Sequence, residues 1–165
     1  MEPEQAVQQQ IGRITLLADG EYLGAALSFI REAAGRLGLT ASDVTALGRA
    51  VEEVSLNVIE HAFEPGRPAT FDIVLLRGPG EVVVAVEDRG LPFDWKLLEA
   101  NPHSGLTVPS LTGFADAVRF SNLGPRGNRV EIAKRLPFTA IDAYPAIVKP
   151  AAEDASLGID DRSVV

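Results

Sequence analysis

One uninterrupted stretch, Thr40 to Phe63 (TASDVTALGRAVEEVSLNVIEHAF), constrains this chain more than any other. Leu47, Val51, Val54 and Val58 recur at three- and four-residue steps, the period of a helix with one face in a core. Thr40, with Asp43 three residues later, supplies a helix cap. Glu53, Asn57 and Glu60 or His61 form a second stripe along the border of the apolar one, where a helix dips from core toward solvent. Taken alone, a Glu-x-x-x-Asn spacing on a helix flank is more often solvated surface than a site.

A second acidic element raises its standing. Glu81 to Asp88 (EVVVAVED) reads as a strand apolar on both faces, and it ends in Asp88-Arg89-Gly90-Leu91-Pro92, a carboxylate followed by a turn glycine. A carboxylate at the mouth of a buried strand is costly unless something pairs with it. Thr70 to Arg77 precedes it as another strand, and Gly78-Pro79-Gly80 turns one into the other, so the two form an antiparallel hairpin.

The 165 residues allow one domain with a real core plus some tail. A net charge of -8 without clustered Lys and Arg argues against nucleic acid as a partner. Cysteine is absent, which excludes disulfides and thiolate metal sites; with no secretory leader, a cytoplasmic location is expected. No apolar run approaches the roughly 20 residues that span a bilayer, so no membrane association is expected.

The remaining elements follow from turn signals. Met1 to Gln10 is polar, Ile11 to Ala18 suits an edge strand, and Asp19-Gly20 breaks it. Leu23, Leu27, Ile30, Ala34 and Leu37 mark a first helix that stops at Gly38. After Asp88 a connection from Leu91 to Ser104 has the length of a functional lid, and a third helix is expected from about Leu106 to Ala117. Val118 to Asn122 and Asn128 to Lys134 read as two strands around Gly124-Pro125-Arg126-Gly127. The predicted fold class is α+β, a two-layer sandwich with three helices on one face of a mixed, mainly antiparallel sheet. Residues 1–136 form the domain, and 137–165, rich in small residues, proline and acids, read as a linker or disordered tail.

Four segments carry a resemblance. Ala50 to Phe63 is similar to the asparagine helix of the anti-sigma-factor serine kinase family, within the wider superfamily of histidine kinase and gyrase-type ATP sites with the Bergerat-type fold. Val86-Glu87-Asp88-Arg89-Gly90-Leu91-Pro92-Phe93-Asp94 resembles its first glycine motif. Gly105-Leu106, opening a helix, resembles a reduced second glycine motif, and Gly127-Asn128-Arg129-Val130 its final strand.

The resemblance implies an ATP-binding regulatory protein, a Mg²⁺-dependent serine/threonine kinase acting on a small antagonist protein. It implies that Asn57 offers its carbonyl oxygen to Mg²⁺, that Glu53 takes the proton from an attacking hydroxyl, and that Asp88 accepts from the adenine amino group. Gly90 would let backbone approach the base, His61 would border the nucleotide, and Gly105 and Leu106 would turn backbone N–H groups to the phosphates. The partners it implies are a sigma factor or an anti-anti-sigma-like antagonist, with a homodimer as the assembly. Ser104-Gly105-Leu106-Thr107-Val108-Pro109 offers a single glycine, and Pro109 removes one backbone donor. The alternative is therefore a catalytically inactive module that sequesters its partner. For His61 and His103 no convergent third metal ligand is apparent, so a histidine metal site is not expected.

Overall fold

The structure is a computed structural model, and the account below covers residues 7–92 and 111–137. Five strands form one sheet: β1 (Gln9–Leu17), β2 (Thr70–Gly78), β3 (Glu81–Asp88), β4 (Ala117–Asn122) and β5 (Asn128–Arg135), in the order β1-β2-β3-β5-β4. Two helices, α1 (Leu23–Arg36) and α2 (Ala41–His61), lie on one face.

The hairpin is in place, with Gly78 opposite Glu81 across the Pro79-Gly80 turn, and Gly80 adopts the positive φ of 69° that proline's partner position requires. All four strand pairings are antiparallel, so the expected mixed sheet is corrected to a wholly antiparallel one. β1 with β2, β2 with β3 and β4 with β5 pair as chain neighbours in opposite senses, whereas β3 and β4 point the same way with β5 between them. The helix count is corrected too: two, not three, among the described residues. Of the expected third helix, Leu106 to Ala117, residues 106–110 lie outside the described residues, as does most of the expected lid, Leu91 to Ser104; Leu111 and Thr112 are helical, and Ala117 instead opens β4 by pairing with Ala133. The expected tail, apart from Pro137, also lies outside them.

The helices form where their local signals lie. Thr40 Oγ1 accepts the Asp43 N–H at 3.1 Å and caps α2. α1 closes through Leu37 N–H to Ala33 O, after which Gly38 turns the chain at φ 107°. Arg77, buried in the sheet, donates to Leu37 O at 3.1 Å and so ties β2 to that helix end. Between the layers, Leu47, Val51 and Val54 from α2 meet Ile73, Leu75, Val84 and Ile132 from the sheet in one core. Each such side chain contributes roughly 1.5 to 3 kcal/mol of transfer free energy when fully buried.

The other sheet face divides in two. Near the Gly80 turn, Val74, Leu76, Val83, Ala85 and Ala133 form a second buried cluster. The rest carries an ion-pair ladder: Arg13 bridges Asp72 and Glu87, Arg129 joins Glu87 to Glu131, and Arg119 joins Glu131 to Glu81. Burial works against the Arg129 charge, but hydrogen bonds and attraction from Glu131 and Glu87 outweigh it and raise its pKa.

Candidate functional site

The site is built where α2 ends, β3 ends and β5 begins. Glycine makes this junction possible at two positions. A Cβ on Gly90 would lie 2.1 Å from Ala62 O, and one on Gly127 would lie 1.8 Å from Asp88 O. Leu91 N–H closes the first contact by donating to Ala62 O at 2.9 Å. The end of β3 is thereby wedged between the last turn of α2 and the first residues of β5.

A cavity of about 190 Å³ opens beside this wedge. Its apolar walls come from Val54 and Val58 of α2, Leu91 and Pro92 of the turn, Phe120 of β4 and Val130 of β5. Four polar side chains join them: Asn57, His61, Asp88 and Asn128. A larger cleft of about 730 Å³ lies on the ladder side of the sheet, lined by Arg13, Asp72 and Glu87, which already pair with one another. The smaller slot combines mainly apolar walls with convergent polar groups, and Asp88 borders both spaces.

Asp88 is 6 % exposed, so its charge depends on donors. Its Oδ1 accepts from Gly90 N–H at 2.9 Å and from Asn128 Nδ2 at 3.1 Å. No described residue donates to Oδ2. Asn128 Nδ2 also donates to Leu91 O at 2.8 Å, clasping the turn from below. A nearly buried carboxylate with one oxygen saturated and one open, set in an apolar slot, suits a flat heterocycle carrying an amino group.

The expected residues are distributed as follows. Asn57, His61 and Asp88 line the slot, while Gly90 is outside its lining and packs against Ala62 at the end of α2. His61 is the last residue of α2; its side chain is largely exposed, 3.6 Å from a Glu60 carboxylate oxygen. Glu53 sits one turn before Asn57, half-buried and outside the slot's lining. Gly105 and Leu106 lie outside the described residues. Among the described residues no group of three or more His, Asp or Glu could hold a metal.

Asn128 and Phe120 had no assigned role in the sequence reading. The signal for Asn128 was its position after the turn glycine, but only the pairing of Asp88 with Asn128 brings its amide to the carboxylate. Phe120 offered no signal, since an aromatic residue in a strand is ordinary core.

Comparison with known proteins bears on the family and the fold. Residues 16–134 match the family model of the histidine kinase-like ATPase domain. The serine-protein kinase RsbW of Halalkalibacterium halodurans is 30% identical over 87 residues, covering 53% of this chain. The chain spans about half of that relative, 52% of its length. Among solved structures, the RsbU and RsbW domains of Rv1364c from Mycobacterium tuberculosis share the fold, with a TM-score of 0.56 at 18% identity over 76% of this chain and 32% of that one. The matched range takes in β2 to β4, both helices, the last two residues of β1 and all of β5 but Arg135, together with every described slot residue. On the strength of that match, the chain belongs to the histidine kinase-like ATPase domain family.

Proposed function

We propose that this chain is an ATP-binding regulatory protein of anti-sigma-factor type, a Mg²⁺-dependent serine/threonine kinase acting on a small antagonist protein. One observation carries the reading: the open oxygen of Asp88 and the amide of Asn57 line the same apolar slot. Asp88 Oδ2 accepts from the adenine amino group while Val54, Val58, Leu91 and Phe120 take the faces of the base. Asn57 would hold magnesium, which would supply charge neutralisation at the transferred group. Glu53, one helical turn from Asn57, receives the proton of the attacking hydroxyl. Gly105 and Leu106 belong to this reading as phosphate-binding backbone, on sequence grounds.

The RsbW relative is named a serine-protein kinase, which supports phosphoryl transfer to protein hydroxyls as the chemistry. A sigma factor or an antagonist of it is the partner class in this reading, and a cytoplasmic homodimer its setting. No described helix is long and apolar enough to cross a membrane. Ile11 and Leu17 on edge strand β1, with Tyr22 beside it, are exposed and support self-association.

Calorimetry with Mg-ATP tests the binding half. Asp88→Asn keeps an acceptor for Gly90 but turns an NH₂ toward the adenine amino group, so affinity falls at least about tenfold. The catalytic half is tested on a cognate antagonist with radiolabelled ATP: Glu53→Ala binds nucleotide as before and transfers no phosphate. Nucleotide binding without transfer by the native chain would leave the sequestering module in its place.

A further inference from the structure

We propose that Asn128 is a specificity-determining residue: by filling one oxygen of Asp88 it leaves the carboxylate a single open oxygen, and this selects adenine over guanine. The inference rests on the reading of the slot as a nucleotide site.

An ionised carboxylate offers about four lone-pair positions, two on each oxygen. On Asp88 Oδ1 both are taken, one by the Gly90 N–H and one by Asn128 Nδ2. Asn128 is itself 6 % exposed, and its second Nδ2 hydrogen goes to Leu91 O. Swinging it away would strand a buried amide and two acceptors at once. The carboxylate is therefore held with Oδ1 closed and Oδ2 open.

The two purines ask different things of such a group. Adenine presents one amino donor beside a ring acceptor, and one open oxygen satisfies the donor. Guanine presents a carbonyl oxygen where adenine has its amino group. Its ring N–H and 2-amino group lie side by side, the parallel pair of donors that a carboxylate with both oxygens free binds in bidentate fashion. With Oδ1 closed, guanine keeps one of those bonds and buries the other donor unpaired.

The test compares ATP, GTP and ITP, the last being guanine's analogue without the 2-amino group, by calorimetry on the full chain. On the native protein ATP binds tightest, and GTP binds no tighter than ITP, because the 2-amino group finds no acceptor. In Asn128→Leu, which is near in volume and carries no donor, the ratio of GTP to ATP dissociation constants drops on the order of tenfold. A merely structural role would weaken both nucleotides together and leave the ratio unchanged, which overturns the proposal. If Asn128→Leu fails to melt cooperatively, the native comparison decides alone: GTP binding about tenfold tighter than ITP means that Oδ1 is open and the proposal is wrong. Failure of the native chain to bind ATP removes the nucleotide reading itself, and this inference with it.

Discussion

At Gly127 the backbone adopts φ 96°, and the space where a Cβ would stand already holds Asp88 O. Two penalties coincide there, the left-handed conformation and a contact with backbone that no rotamer change relieves. Gly127→Ala is expected to destabilise the fold by about 3 kcal/mol, read from the urea midpoint. It should also weaken nucleotide binding, because the displaced strand carries Asn128. Asn57 makes a different kind of contribution. It is half-buried and on the slot, so Asn57→Ala should fold normally and lose only the part of ATP affinity that depends on magnesium. Titrations with and without EDTA check this: the variant should bind ATP equally in both. Asp88, Asn57 and Gly90 were readable as candidates because each is a polar or turn residue breaking an apolar pattern. Asn128 was not, since its role depends on the residue across the strand.

α2 does two jobs with two faces. Leu47, Val51 and Val54 on one side are buried against the sheet, while Asn57 and His61 on the adjoining side reach the slot. Its period revealed both stripes before any coordinates, because helical geometry makes spacing and direction equivalent. Its start was equally legible: Thr40 has the extended backbone of a cap and the bond to Asp43 N–H. Thr40→Ala is expected to cost about 1 kcal/mol, a fall of about 3 °C in Tm by calorimetric scanning. Nucleotide affinity should be unchanged, since the cap lies at the end of α2 remote from His61. At β4 the reading was one residue out: Val118 to Asn122 read as a strand, and Ala117, expected to end a helix, joins it because it pairs with Ala133.

For the molecule as a whole, the proposed nucleotide binding would be coupled to folding, because the end of β3 that carries Asp88 is wedged between α2 and β5. A ligand that binds the folded state at a hundredfold excess over Kd adds about 2.7 kcal/mol, or roughly 8 °C in Tm for a domain of this size. Mg-ATP at that excess should therefore raise the native Tm by that amount and the Asp88→Asn Tm by no more than about half as much; a native melt indifferent to nucleotide would count against the slot as its site. The architecture was legible in outline, two layers with a central hairpin, because strands and helices announce themselves by local period and turn chemistry. From the sequence alone came the capped two-faced helix, the β2–β3 hairpin and the carboxylate awaiting a partner. The tertiary structure decided the rest: that β5 lies between β3 and β4, that the sheet is antiparallel throughout, and that Asn128 stands opposite Asp88. Strand order and register arise from contacts between residues about forty apart, and no local periodicity encodes which distant edge a strand will meet.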